Sequence, residues 1–253
     1  MLAEDRYKRI VDMVNLSGAA RTVELARSLG VSEATVRRDL GLLSDRGLLK
    51  RTHGGAIVVA ESTAFEPLYA AKARQQNEAK ARIGRAAAAL IADGQTIILD
   101  SGTTAIAVAR ACHDKRVSVL TLDLKVAEEL ADAPGVTVHV IGGQLRRGFY
   151  SLVGPHAEQA LRQFHVNTFF LGADAVSVGG GVTNATTEEV NVKRLAIAAA
   201  RTVVLVADAT KFGHDAMFTV CPLGDVDRVI TDRSLALSDQ EELAEAGVAF
   251  DIV

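Results

Sequence analysis

The residues from Val31 to Arg51 constrain this chain more than any others: Val-Ser-Glu-Ala-Thr-Val-Arg-Arg-Asp-Leu-Gly-Leu-Leu-Ser-Asp-Arg-Gly-Leu-Leu-Lys-Arg. Ser32 is a good helix N-cap, and Glu33 stands in the first turn, where the helix dipole favours an acid. Val36, Leu40 and Leu43 recur at helical spacing and make one apolar stripe. Thr35, Arg37 and Arg38 fall on other faces near the N-terminus, the end of a recognition helix that meets base edges in a major groove. The planar fork of arginine pairs two acceptors on guanine or holds a phosphate. Gly47 is expected to end the helix, and Leu48 to Arg51 reads as a short strand entering a turn at His53-Gly54-Gly55. Helix, strand and glycine turn in that order predict a winged helix-turn-helix. The competing reading is a solvated amphipathic helix carrying ordinary surface arginines.

What precedes this stretch weakens the competing reading. Tyr7, Ile10, Val11 and Val14 place a first helix over Glu4 to Leu16, leaving Arg6, Lys8 and Arg9 exposed as phosphate contacts. Ser17-Gly18 breaks it. Arg21-Thr22-Val23 supplies a short strand and the N-cap of a second helix, Val23 to Leu29, closed by Gly30. The gap to the next helix is as short as a helix-turn-helix needs. Lys50, Arg51 and His53 add polar groups on the wing. Three helices and a wing make a complete small DNA-binding module.

The overall charge of −3 looks wrong for a nucleic-acid binder until it is divided. Residues 1–57 carry ten Lys/Arg against seven Asp/Glu, a net +3, and the remainder carries 18 against 24, a net −6. A basic head on an acidic body is expected when one domain alone meets DNA. With 253 residues, 49% hydrophobic and 23% charged, the chain has enough apolar matter for packed cores, which argues against global disorder. No apolar run reaches the length of a membrane span, and the start Met-Leu-Ala-Glu-Asp-Arg has no secretory pattern, so a cytoplasmic protein without membrane partners is expected. Cys112 and Cys221 read as small buried hydrophobes, and the six histidines lack metal-ligand spacing. Neither a metal nor a cofactor is expected.

The head is assigned to residues 1–59. Ala60 to Gln76 carries scattered charge and Pro67, and reads as a linker passing into a helix. The body, 77–253, opens with an alanine-rich helix from Lys80 to Ala92. Strands are then predicted at 96–100, 117–121, 136–141, 167–171, 202–207, 227–230 and 248–252. Helices are predicted between them at 104–112, 124–132, 155–164, 187–200 and 239–246. That alternation predicts a mostly parallel sheet with helices on both faces, whose ligands gather at the carboxyl ends of strands. Three loops there suit an anion. Asp100-Ser101-Gly102-Thr103-Thr104 opens a helix with small hydroxyl residues and free N–H groups, although a plain strand-to-helix turn would look the same. Gly142-Gly143-Gln144-Leu145-Arg146-Arg147 joins glycines to guanidinium groups. Asp208-Ala209-Thr210-Lys211 ends a strand with an acid and a lysine. Together they point to a phosphorylated small molecule. Gly179-Gly180-Gly181 lacks the lysine of a phosphate-binding loop and reads as a flexible turn.

The head resembles the DeoR family of bacterial sugar-metabolism regulators. The resemblance is carried by Glu24-Leu25-Ala26, by Val31-Ser32 through Thr35-Val36-Arg37-Arg38-Asp39-Leu40, and by Arg51-Thr52-His53-Gly54-Gly55-Ala56. It implies that Thr35, Arg37 and Arg38 lie in the groove and His53 at the wing; Asp39, which a phosphate would repel, is expected to orient one of its neighbouring arginines. The body is similar to that family's effector domain at Asp100 to Thr104, Gly142-Gly143, Ser151 with Gly154, Phe170 to Asp174, Glu188 with Lys193, and Asp208 with Lys211. This implies a fold resembling ribose-5-phosphate isomerase and the CoA transferases, and a phosphosugar that changes DNA affinity. One departure stands out: the family usually has Thr-Asn-Ser where this chain has Thr121-Leu122-Asp123. An acid there would repel a nearby phosphate or bind sugar hydroxyls.

The expected function is a sequence-specific transcription regulator, a repressor of a sugar or polyol operon released by a phosphorylated sugar. Its partners would be double-stranded operator DNA, the effector, and other copies of itself in a dimer or tetramer that pairs heads on a repeated operator. One alternative is a sugar-phosphate isomerase with a DNA-binding head, since Asp100, Asp123, Asp174, Glu188 and Lys211 are groups able to move protons. A DNA-bridging protein without an effector is the other, and it leaves the anion loops unused.

Overall fold

The computed structural model describes residues 3–45, 49–57, 69–73, 75–146 and 148–253. The chain divides into two compact units, Met1–Gln75 and Gln76–Val253. The expected end of the recognition helix at Gly47, most of the expected linker (60–68 and 74) and Arg147 lie outside the described residues.

In the first unit, helix α1 (Ala3–Ser17) leads to strand β1 (Ala19–Arg21), α2 (Thr22–Leu29), α3 (Glu33–Asp45), β2 (Lys50–Thr52) and β3 (Gly55–Ile57). A helical turn α4 (Tyr69–Lys72), inside the expected linker, lies beside α1. Gly30 closes α2 in the left-handed region, φ 65°, and turns the chain into α3. Glu24 reaches back to the Arg21 N–H at 3.3 Å, so the cap of α2 is one residue earlier than Thr22. The stripe Val36, Leu40 and Leu43 is buried against Ile10, Val14, Leu25 and Leu49. The three strands form an antiparallel sheet in the order β1-β3-β2. Gly55 is required where they cross, because a Cβ there would lie 2.0 Å from the Ala20 carbonyl oxygen.

The second unit begins with α5 (Asn77–Ala89) and then alternates: β4 (Thr96–Leu99), α6 (Thr103–Ala111), β5 (Val117–Thr121), α7 (Leu124–Leu130) and β6 (Val136–Val140). A hairpin, β7 (Gln144–Leu145) and β8 (Leu152–Val153), precedes α8 (Pro155–Leu161) and β9 (Val166–Leu171). There follow β10 (Ala175–Ser177), β11 (Gly181–Asn184), α9 (Thr187–Ala199), β12 (Ala200–Val206) and β13 (Phe218–Cys221). The last elements are β14 (Arg228–Thr231), α10 (Leu237–Glu245) and β15 (Phe250–Ile252). Seven strands form one parallel sheet in the order β15-β14-β12-β9-β4-β5-β6. Runs such as Ile97-Ile98-Leu99, fully buried, have no polar face because helices cover both sides of such a sheet. From β4 the chain steps outward to β6, then returns to β9 on the other side of β4 and steps outward again to β15. The carboxyl ends of β4 and β9 therefore flank a topological switch point, where α/β sheets open a crevice.

Two features went beyond the expected alternation. β10, β11 and β13 form a separate antiparallel sheet, and β7-β8 is a hairpin of two-residue strands. Val178–Gly180 is the turn between β10 and β11, with Gly181 opening β11, and it is held by a hydrogen bond from the Gly180 N–H to Ser177 Oγ at 2.8 Å.

Candidate DNA-binding surface and effector site

On the head, Ser32 Oγ accepts the Thr35 N–H at 3.1 Å and shares a second hydrogen bond with Thr35 Oγ1 at 2.9 Å. Ser32 thus caps α3 and fixes the first turn. Arg37 and Arg38 are exposed beyond it. Arg37 Nη2 lies 2.6 Å from Glu33 Oε2, one turn back, and the Arg37 side chain is still 57% exposed. Lys50, Arg51 and His53 are exposed on the wing, and the Arg51 guanidinium lies over Gly41 of α3, where an added Cβ would sit 3.9 Å from Nη1. Arg51 of the wing thus lies against α3, the helix that carries Arg37 and Arg38.

Two expectations are corrected here. Arg6 is not a free surface cation: its Nε lies 2.6 Å and its Nη2 3.1 Å from the two carboxylate oxygens of Asp39. Asp39 in turn orients neither Arg37 nor Arg38. It adjoins Leu40 on the buried side of α3, only 4% exposed, and a carboxylate there needs a partner from the element packed against it. Arg6 supplies that partner from α1, one turn before the buried Ile10.

In the body, the loops after β4, β5 and β9 converge at the switch point. Asp100, directly after β4, accepts the Ser101 N–H and the Gly172 N–H, each at 2.8 Å, and Lys193 Nζ lies 2.9 Å from its Oδ2. Lys193, on α9, also donates to the Gly172 carbonyl at 2.8 Å. Arg146, after β7, lies 2.6 Å from Glu189 Oε1, donates to Thr186 Oγ1 at 3.0 Å and stacks on Phe149 with 4.3 Å to the ring centre. Ser151 and Ser101 donate to the same Glu189 oxygen at 2.6 and 3.3 Å, and Asn184 donates to the other at 3.2 Å. The four charged side chains are between 4% and 8% exposed. A cavity of about 520 Å³ is lined by Arg146 together with Gln144, Phe149, Glu158, Glu188 and Asn191.

Sequence reasoning missed Glu189 and chose its neighbour. Glu188 is exposed and lines the cavity, whereas Glu189 is the buried acid. The signal was available: Glu189 stands four residues before Lys193, one helical turn and the same face, while Glu188 is rotated away. Gly143 is placed by packing, since a Cβ on it would lie 2.7 Å from the Val153 carbonyl oxygen, and Gly142 is exposed beside it. Thr103 and Thr104 are half-buried in the first turn of α6. Asp174 accepts the Ala185 N–H at 3.1 Å and acts electrostatically on both Lys193 and Glu189. Asp208 caps its own turn through the Thr210 N–H and hydroxyl, with Lys211 half-buried at the end of that turn. These two belong to the loop after β12, next along the sheet from β9.

Asp123, the acid at the departure from the family pattern, caps a helix. It is fully buried and accepts the N–H groups of Lys125 at 2.6 Å and Val126 at 3.2 Å, capping α7. Its other oxygen accepts the Gly102 N–H at 2.8 Å. The protein's own carboxylate therefore takes a donor at the mouth of α6 that had been assigned to a ligand. Burial pushes the Asp123 carboxyl up, against the pull of those three N–H groups. Burial raises Asp100 as well, despite Lys193, with Glu189 adding to the rise. For Glu189 burial also works upward, but Lys193, Arg146 and Ser151 outweigh it and hold the carboxyl below the ordinary range. Burial would lower Lys193; Asp100, Glu189 and Asp174 overcome this and keep the ammonium charged.

A winged helix-turn-helix on the same chain as an α/β unit with a charged cluster at its switch point defines a class, the DNA-binding regulators that carry their own sensor. Residues 6–62 match the DeoR-like helix-turn-helix domain and residues 75–233 the DeoR C-terminal sensor domain. The chain is 38% identical to the HTH-type transcriptional regulator GlpR of Haloferax volcanii, over 98% of this chain and 97% of that one. It is 35% identical to the transcriptional repressor AccR of Agrobacterium fabrum, over 90% and 89%, and 33% identical to the HTH-type transcriptional repressor GlcR of Bacillus subtilis, over 92% and 90%. The chain belongs to the DeoR family of transcriptional regulators. Among solved structures it is similar to ribose 5-phosphate isomerase A of Methanocaldococcus jannaschii, 16% identical over 53% of each chain with a TM-score of 0.40. No described helix is long and apolar enough to cross a membrane.

Proposed function

We propose that this regulator represses a sugar or polyol operon and leaves its operator when a phosphorylated sugar binds the second unit. The observation that carries this reading is Arg146, which is tied to the buried Glu189 and is also one of the residues lining the 520 Å³ cavity. A phosphate entering the cavity would compete with Glu189 for the Arg146 fork, and the acid-rich cluster behind it suits sugar hydroxyls. The effector residues are Asp100, Ser101, Thr103, Thr104, Arg146, Ser151, Asp174, Glu188 and Lys193, with Lys211 from the next loop. Glu189 joins them, and Gly102, Gly143, Asp123 and Asp208 shape the loops. Thr35, Arg37, Arg38, Lys50, Arg51 and His53 are the DNA-facing set, with Ser32 holding their helix. Coupling requires that the effector bind the operator-free arrangement more tightly than the bound one. A homo-oligomer, dimer or tetramer, would present paired heads to a repeated operator.

The site acts by binding rather than turnover. Both oxygens of Asp100 and of Asp123 are engaged by backbone N–H groups, which suits holding a shape more than abstracting a proton. The test is fluorescence anisotropy of DNA fragments from upstream of the protein's own and neighbouring genes, at fixed salt. A panel of sugar phosphates and their unphosphorylated parents is titrated in. One phosphate releasing DNA while its parent does not supports the reading. Tight DNA binding that no phosphate shifts would sink it.

A further inference from the structure

We propose that Arg6 and Asp39 are a positioning pair that sets the angle of the recognition helix α3 on the head, with Arg6 acting on DNA only through Asp39. The inference rests on the reading of α3 as the DNA-facing helix. The two residues are 33 positions apart and belong to different helices, so their contact is a tertiary clamp. It is bidentate, at 2.6 and 3.1 Å, with the side chains 15% and 5% exposed. Two parallel bonds between planar groups fix orientation as well as distance, which a single contact or an apolar patch does not. Ile10 and Val14 of α1 and Val36 and Leu40 of α3 belong to the same apolar cluster, and contacts of that kind lack the directionality of a two-bond fork. Asp39 also follows Arg37 and Arg38 directly in the sequence. A small rotation of α3 about its axis, the motion that the clamp resists, would carry both arginines away from their base edges.

A positioning role and a charge role predict opposite signs. The experiment uses the full chain and two duplexes of equal length and composition, one enriched from a random library by the wild-type protein and the other its scramble. Asp39→Asn removes an acid beside two DNA-facing arginines, so charge alone predicts tighter binding to both duplexes. Positioning predicts at least tenfold weaker binding to the enriched duplex, with the scramble unchanged or tighter. Arg6→Lys keeps the cation and loses the fork. Its preference for the enriched duplex should fall likewise, with an unchanged salt slope because no phosphate contact is lost. If Asp39→Asn fails to fold, Arg6→Lys carries the same test.

Arg6→Lys matching wild type on both duplexes overturns the proposal. So does Arg6→Gln losing equally on both with a salt slope smaller by about one, which would make Arg6 a phosphate contact. A readout without DNA completes the set: amide hydrogen exchange along α3 should be faster in Arg6→Lys than in wild type. Unchanged exchange overturns the pair whatever the DNA result. Wild type that fails to separate enriched duplex from scramble sinks the operator reading instead, and the exchange comparison still decides the clamp.

Discussion

The two units of the chain use charge in opposite ways. On the head, the cations that matter stand in solvent: Arg37 is 57% exposed and pairs with Glu33, one turn back on the same helix. In the body, Lys193 is 4% and Arg146 8% exposed, each locked to a buried acid and to a neutral acceptor beside it. Exposed charges interact weakly with one another and are screened by salt, which leaves them free to meet a polyanion. Buried pairs are costly to assemble and rigid once made. The first arrangement suits reading DNA by exchange of counterions, and the second suits recognising a small ligand by shape.

The comparison breaks most visibly at Lys193. Replacing it by methionine leaves Asp100 and Glu189 buried beside one cation fewer, and losing one partner of a buried pair costs about 3–5 kcal/mol. Urea denaturation should show that loss in the second unit while the head keeps its own stability. A cost no larger than that of removing an exposed arginine would erase the distinction between the units. At the head, Arg37→Ala should weaken operator binding by about 1–3 kcal/mol and binding to random duplex much less, the pattern of a lost base contact. Raising salt from about 50 to 200 mM should cost the head orders of magnitude in DNA affinity. The same change should barely move the melting of the body.

A pH titration sharpens the body's half of the comparison. The folded carboxyl of Asp123 is held above its ordinary value by burial, so the native state keeps a proton that the unfolded chain has released. Stability at this group is therefore fully present below the unfolded value and falls as pH rises through the folded one. Glu189 has the opposite sign: its contribution is present above the ordinary glutamate range and is lost as pH falls through its depressed folded value. Asp123→Asn should flatten the fall on the rising side and leave the acid side in place. Urea midpoints measured across the weakly acidic range decide this, and an unchanged profile would remove Asp123 as its source.

How much of this was legible in the sequence follows from how local each signal is. The three head helices and the wing turn were readable because their stripes, caps and glycines lie within a few residues of one another. The seven parallel strands were readable as apolar runs such as Ile97-Ile98-Leu99. The hairpin β7-β8 and the sheet β10-β11-β13 were not, because strands of two to four residues are too short to show a period. The candidate loops after β4, β6 and β12 were named from their residue types, but not which side chains face inward. Glu189 was lost to Glu188 although helical phase separates them. Arg6 looked like a surface cation because its partner is 33 residues away. Asp123 was flagged as out of place, and only the fold shows that the N–H group it takes belongs to Gly102.

The smallest effect tests whether the head's charges are as free as the comparison requires. Glu33 Oε2 lies 2.6 Å from Arg37 Nη2, and both side chains are largely in water, 42% and 57% exposed. An exposed pair at this spacing is worth about 0.3–0.5 kcal/mol. Arg37 must leave it to meet a base, so Glu33→Gln should tighten operator binding by roughly twofold through the released pair. A further gain, equal on every sequence, should come from removing an acid near the phosphates. Against this, Glu33 favours the helix dipole, so α3 should melt slightly earlier in the variant. Both gains should fade as salt rises, because the exposed pair is itself screened, so the twofold preference is read at low salt as the difference between operator and random duplex. If operator binding weakens instead, Glu33 is holding Arg37 in its reading position, and the head then shares the body's strategy of fixing its charges before the ligand arrives.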